Sequence, residues 1–411
     1  MKKTVLALAV LSLAGCGGSS DESDSSVATT SLSIKAISFD QCGQASAYPE
    51  ASVLLHDSNG AILSRHSVGH SGTIELDRPS DAAHITVIGR NYFAEDGSNT
   101  DVESYLDYPL STLTAKFEDN RNSACGCQMI TVNATDLLAT FSSHSLRYQT
   151  RPVNDGEQVK VCPTADGGWP TMDFLLTDNL AGPSYAVRQT INGNIDTAIY
   201  LDPDEFVAGS AITVNSEVDF DWYNSRVRLG DYWPQVANYL SVDDPSELWY
   251  FPELHQDTLI SGYRLERLDS QVEYVSGIRQ PIEDGAVTLP DWHGGSAFQL
   301  RVASVLESSA YDFRDVGLNK SMLSIDSYGN DVSWSINAPL NGSIPDLDLP
   351  ADIQAEFGSL DDLTVTIGLW GYGSRNSYGD FLQLLQQGQI DNRHDDPRYQ
   401  QYHYEQLTIT P

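Results

Sequence analysis

Carboxylates beside aromatic rings are the side chains of this 411-residue chain with the most evident chemical use. Trp222-Tyr223, Tyr232-Trp233 and Trp249-Tyr250-Phe251 crowd one short stretch, each near Asp or Glu. Flat rings take the apolar C–H face of a sugar while acids accept from its hydroxyls. Trp222, Tyr223, Trp233, Trp249 and Tyr250 are therefore the candidate ligand-binding residues for a carbohydrate. Trp370, followed by Gly371-Tyr372-Gly373, offers a second platform. The same rings more readily form a core between sheets, because aromatics favour strands. Two carboxylates flanking a glycosidic bond would make a hydrolase, but a chain with 57 acidic residues contains many pairs and spacing selects none.

Other constellations carry less. Gly69-His70-Ser71-Gly72 sets a histidine beside a serine between glycines, yet it lacks one position of a nucleophile elbow and leads into strand-like Thr73-Ile74-Glu75-Leu76. It is expected to be a hairpin turn. The nine histidines are scattered, and His394-Asp395-Asp396 beside Pro397 reads as a solvated loop. Acid clusters at Asp202-Pro203-Asp204-Glu205, at Asp243-Asp244 and from Asp96 to Asp101 could supply oxygen ligands to one structural calcium, but none follows the EF-hand pattern, and they read as acidic surface loops without metal. No catalytic set, no metal and no organic cofactor is assigned.

The first sixteen residues are an address. Lys2 and Lys3 precede an apolar run from Thr4 to Leu13 that is too short to span a bilayer, and Leu13-Ala14-Gly15-Cys16 follows. This arrangement resembles the lipobox of bacterial lipoproteins, which implies a signal peptide over 1–15 and lipidation of Cys16. Gly17 after the cysteine resembles the pattern of lipoproteins sent to the outer membrane of Gram-negative bacteria. The residues that follow, through 31, are small, acidic and without aromatics, and read as a flexible tether of roughly 20 Å reach.

An exported chain meets an oxidising compartment, and the four remaining cysteines, Cys42, Cys125, Cys127 and Cys162, suit two disulfides. A direct Cys125–Cys127 bridge would close a tight ring around Gly126, so each is expected to pair with Cys42 or Cys162. The spacing leaves that choice open. A four-cysteine zinc site has the wrong spacing and the wrong compartment.

Net charge is −34, and loss of the signal removes two lysines and leaves the chain more acidic still. No basic block follows residue 16, which argues against nucleic acid and against electrostatic docking on anionic lipid. Membrane attachment is expected through the lipid anchor alone, with a protein or a glycan as the partner.

The elements that must position these residues are strands. Apolar alternation marks Phe298-Gln299-Leu300-Arg301-Val302, Leu363-Thr364-Val365-Thr366-Ile367 and Tyr404-Glu405-Gln406-Leu407-Thr408-Ile409. Turn signals recur at Ser58-Asn59-Gly60, Asn192-Gly193-Asn194, Tyr328-Gly329-Asn330 and Asn341-Gly342. Short helices are expected over 351–357, after Pro350, and over 380–387. The fold class is all-β, with two to three β-sandwich domains of Ig-like or prealbumin-like type in series. These are a disulfide-linked sandwich over 32–165, an aromatic-rich domain over 166–280 and a C-terminal domain over 281–411.

Within the first domain, residues 51–88 run strand, turn, strand, turn, strand, strand. Asp57-Ser58-Asn59-Gly60 and Ser71-Gly72-Thr73-Ile74 sit at the turns, where Gly60 and Gly72 would supply positive φ. This order resembles a carboxypeptidase-regulatory or transthyretin-like sandwich, which implies a folding and spacing module. The acidic stretch from Glu95 to Asp107 and the four cysteines depart from that pattern. The expected function is a lipid-anchored envelope protein acting as a non-catalytic binding, scaffold or assembly module, with a carbohydrate-binding or carbohydrate-active surface protein as the alternative.

Overall fold

The computed structural model describes residues 30–41, 43–93, 97–121, 126–148, 151–164, 167–178, 183–193, 196–228, 235–240, 248–290, 294–317, 319–329, 331–358, 363–373, 377–387 and 395–411, with 236–240 described by backbone alone. The expected signal, lipidation site Cys16 and the tether as far as residue 29, together with Cys42, Cys125, Trp233, Asp243-Asp244 and His394, lie outside these residues, while Thr30 and Ser31, expected as the end of the tether, already pair with Arg78 and Asp77 in a strand.

The fold is all-β. Its largest element is a twelve-stranded sheet, in the spatial order Gln235–Leu240, Trp222–Val227, Thr258–Arg267, Val272–Pro281, Tyr402–Ile409, Thr364–Tyr372, Lys320–Tyr328, Val332–Ala338, Ser98–Tyr105, His84–Tyr92, Ser52–His56 and Ile62–Ser67. All its neighbours are antiparallel except one. Strand 332–338 runs parallel to strand 98–105, in the register Val332 to Thr100 through Asn337 to Tyr105.

A second sheet, built on Thr30–Phe39 with Ala45–Ala47, Thr73–Arg78 and Thr112–Glu118, covers one face of the large sheet at its N-terminal end. Alternation makes that packing work: Leu32, Ile34 and Ala36 from one layer meet Val53, Leu55, Ile85 and Val87 from the other in a single buried cluster. The turns at residues 57–60 and 69–72 take the form expected of them, with Gly60 at φ +94° and Gly72 at +68°. A side chain at Gly60 would also run into the Asp346 carbonyl oxygen.

Residues 128–208 build a smaller sandwich. Gln158–Val161, Gln128–Asn133 and Ala198–Tyr200 form one layer; Arg151–Pro152, His144–Tyr148, Thr171–Asp178, Tyr185–Thr190 and Val207–Ala208 form the other. Ile130, Val132, Val159, Leu146, Phe174 and Val187 fill the space between them. The Cys127–Cys162 disulfide joins the edge of the first layer, one residue beyond the Gln128–Val161 pair.

Both expected domain boundaries therefore need correction. The division at 165/166 passes through the small sandwich, whose core draws strands from either side. That at 280/281 falls on Pro281, the last residue of a strand paired with 258–267 on one side and 402–409 on the other. Local turn signals mark where the chain bends, and strand partners chosen across long separations decide which segments share a core.

Residues 298–302 also differ from expectation: they lie in a helix, Ser296–Ser308. Phe298, Val302 and Val305 fall on one helical face and bury themselves, while Leu300 points outward at 72% exposure. Five residues of alternation fit either period, and Val305 breaks the tie. This helix covers the opposite face of the large sheet, where Phe298 and Val302 pack on Tyr274, Leu323, Ile367, Leu369 and Leu407. The strands over 364–372 and 402–409 and the helices Ala351–Glu356 and Tyr378–Gln386 form where expected.

Candidate functional site

Strand register assembles the site on the face of the large sheet away from helix 296–308. Trp222 pairs with Tyr263, Tyr263 with Gly277, Gly277 with Tyr404, Tyr404 with Trp370, and Trp370 with Met322, so six neighbouring strands align these residues in one row. The rings form a ribbon. Trp222 stacks on Tyr263 with centroids 5.3 Å apart, and Trp370 stacks on Tyr404 at 4.8 Å. Tyr263 and Tyr404 approach to 6.4 Å above Gly277. A Cβ at Gly277 would lie 2.6 Å from the Tyr404 ring and 3.0 Å from that of Tyr263.

A parallel row of polar groups crosses the strands beyond Trp370. Glu103 pairs with Ser335 and Ser335 with Asp326; Tyr105 pairs with Asn337 and Asn337 with Ser324. Between these rows and the aromatic ribbon lies a cavity of about 220 Å³, lined by Glu103, Ser324, Asp326, Ser335, Asn337 and Trp370, with Met322, Phe381, Leu385 and Tyr402 completing it. Phe381 and Leu385 come from helix 378–386, whose start is fixed by a capping box between Ser377 and Asp380. A larger cavity of about 460 Å³, lined by Glu217, Asp219, Asp221 and Arg264 among others, contains no ring.

Hydrogen bonds tie the two walls together. The Trp370 indole N–H donates to Ser324 Oγ at 2.7 Å, and Ser324 donates to Asp326 Oδ2 at 3.1 Å. Tyr105 donates to Glu103 Oε2 at 2.6 Å, and Ser333 donates to Asp101 Oδ1 at 2.8 Å. Burial, reinforced by the negative charge of Asp101 and Asp326, pushes the Glu103 carboxyl up to about 7 against the opposing pull of Tyr105 and Lys116. Asp101 and Asp326 are raised as well, chiefly by burial. This wall holds protons at a pH where exposed carboxylates have lost them.

The candidate aromatics are divided by the structure. Trp222 joins the ribbon and Trp370 lines the cavity. Tyr223, one residue on, points through the sheet into a core with Phe220, Ile260 and Ile278, so it is a packing residue rather than a surface ligand contact. Trp249 packs by Leu175, Ala186 and Phe251, and Tyr250 by Ile212 and Phe220; neither is brought to the ribbon. Tyr372 is fully buried and stacks on Phe381.

The remaining candidates have local roles. Ser71 Oγ bonds within its own turn, to Thr73 Oγ1 at 2.9 Å. Asp202 Oδ1 accepts from Asp204 N and caps a single 3-10 turn, while Asp101 extends along strand 98–105. Among the described residues no group of three or more His, Cys, Asp or Glu side chains is arranged to hold a metal ion. Glu103 and Asp326 were not singled out in the sequence. The signal for Glu103 was the polar alternation Asp101, Glu103, Tyr105, which aims three side chains at one face.

No protein-family profile matches the chain, and no curated protein matches it. Two B repeat units of the collagen-binding protein of Staphylococcus aureus align with 86% of this chain and 98% of their own, at 11% identity and a TM-score of 0.12. A superposition that loose adds nothing to the fold read from the strand ladders.

Proposed function

We propose that this chain is a lipid-anchored envelope protein that binds carbohydrate non-catalytically, seating a sugar unit in the Trp370 cavity. The observation that carries this reading is the opposition of two walls across one small space. Trp370 and Tyr402 are apolar, while Glu103, Asp326, Ser335 and Asn337 are polar and able to pair with hydroxyls. The volume suits a single ring rather than a larger organic ligand. The aromatic ribbon continues from the cavity towards Trp222 and gives a longer chain further apolar surface. Cys16 and the tether would hold the protein at a membrane without any basic patch.

A glycan array and titration calorimetry on the soluble Cys16→Ser variant test the reading. Binding to a defined sugar, weakened about tenfold or more by Trp370→Ala, is the expected result, since one ring contact is worth roughly 1.4 kcal/mol. Absence of binding across the array rejects it. Release of reducing ends from a bound glycan would replace binding by hydrolysis, and a Cys16→Ser protein that stays in the membrane fraction would reject the anchor.

A further inference from the structure

Lys320 and Glu405 lie on the opposite face of the sheet from the cavity, under the start of helix 296–308. They come from strands 320–328 and 402–409, which both border strand 364–372. Lys320 Nζ is 3.6 Å from Glu405 Oε1, with side-chain exposures of 1% and 0%. Nζ has no hydrogen-bond partner among the described residues. The Glu405 carboxyl is held from the other side, by Gly294 N–H at 2.9 Å and the Tyr274 hydroxyl at 3.0 Å.

We propose that Lys320 and Glu405 condense to form an intramolecular amide cross-link. A fully buried ion pair loses the hydration of both charges, and here the ammonium recovers no hydrogen bond in return. Transfer of one proton from Lys320 to Glu405 gives a neutral amine and a neutral acid. Burial favours the uncharged amine, bringing Lys320 down to about 8 despite the nearby Glu405 charge. The fixed approach of the two groups replaces a bimolecular encounter.

The step balances without any co-reactant. The Nζ lone pair forms a bond to the Glu405 carboxyl carbon, and the oxygen that gains charge sits where Gly294 N–H and Tyr274 O–H donate. Collapse breaks one C–O bond, and that oxygen departs as water with two of the three hydrogens the ammonium first carried. One hydrogen stays on the amide nitrogen. Nothing is oxidised or reduced, and the surrounding Phe298, Phe313 and Leu369 keep out the water that reversal requires.

The test is a tryptic digest of the full wild-type chain, denatured and reduced, read by tandem mass spectrometry. An acylated lysine is not cut, so the expected product is one branched species joining residues 315–375 to 399–411, lighter by one water than the two parts. Lys320→Met should release 399–411 as a free peptide. Recovery from wild type of free 315–320 and free 399–411, both at unmodified mass, overturns the cross-link and leaves an ordinary buried ion pair. The wild-type digest is decisive even where the variant fails to fold.

Discussion

Asp173 Oδ2 lies 2.7 Å from His255 Nε2, both buried, and the other oxygen of Asp173 accepts from Arg188 Nε at 2.8 Å. Asp173 belongs to the small sandwich and His255 to the segment that feeds strand 258–267, so this contact fastens the small sandwich to the large sheet. Burial pushes the Asp173 carboxyl up, but hydrogen bonds and charge from His255 and Arg188 outweigh it and hold the group below its usual value.

A depressed carboxylate adds stability above its unfolded value, near 3.9, and loses it as pH falls through the lower folded value. Asp173→Asn should remove this and cost about 3 kcal/mol at neutral pH, because it leaves buried donors without their charged acceptor. Urea midpoints at pH 7 and pH 3 check it. The variant should lose less than wild type between the two, and equal losses would reject the assignment.

Glu103 has the opposite sign. Its folded value, about 7, lies above its ordinary carboxylate value, so the folded chain keeps a proton that the unfolded chain has released. Stability from this group is full below about pH 4.5 and declines up to about pH 7. Glu103→Gln should therefore be the more stable protein at pH 8, by on the order of 2 kcal/mol, and should match wild type near pH 4. Thermal melts at both pH values decide this; a variant less stable at pH 8 contradicts it.

Continuity of the aromatic ribbon rests on a missing side chain. Gly277→Ala places a methyl group where the Tyr404 and Tyr263 rings meet, at 2.6 and 3.0 Å. It should cost about 1–3 kcal/mol, the usual range for overpacking, and shift the near-ultraviolet circular dichroism of the stacked rings. An unchanged spectrum with unchanged stability would mean that the rings do not meet there.

The Cys127–Cys162 bridge spans a sequence separation of 35 residues. Closing a loop of that size stabilises by roughly 4 kcal/mol in the chain-entropy account. Replacing both cysteines by alanine should lower the melting temperature of the small sandwich far more than that of the large sheet. Hydrogen exchange resolved by region would show it, and uniform loss of protection would point to a single cooperative unit.

Strand type, the terminal strand 402–409 and the two glycine turns were legible because each depends on neighbours in sequence. The cavity was not. Glu103, Ser335 and Asp326 become neighbours only through register between strands, and no local pattern encodes that pairing. Trp222 and Tyr223 form one aromatic pair in the sequence, yet one residue of offset sends them to opposite faces of the sheet. Trp370 was visible as an aromatic beside glycine, but its acidic opposite wall required the fold.

The parallel pairing of strands 98–105 and 332–338 also governs how the chain is made. Asp101 and Ser333 are 232 residues apart. A polypeptide emerging from its N-terminus presents the 98–105 edge long before its partner exists, leaving backbone donors and acceptors open to any passing strand. Assembly of the large sheet is therefore a late event in biosynthesis, and its rate is set by a contact of very high sequence separation. For this chain, shielding that edge during synthesis is a requirement of the topology itself.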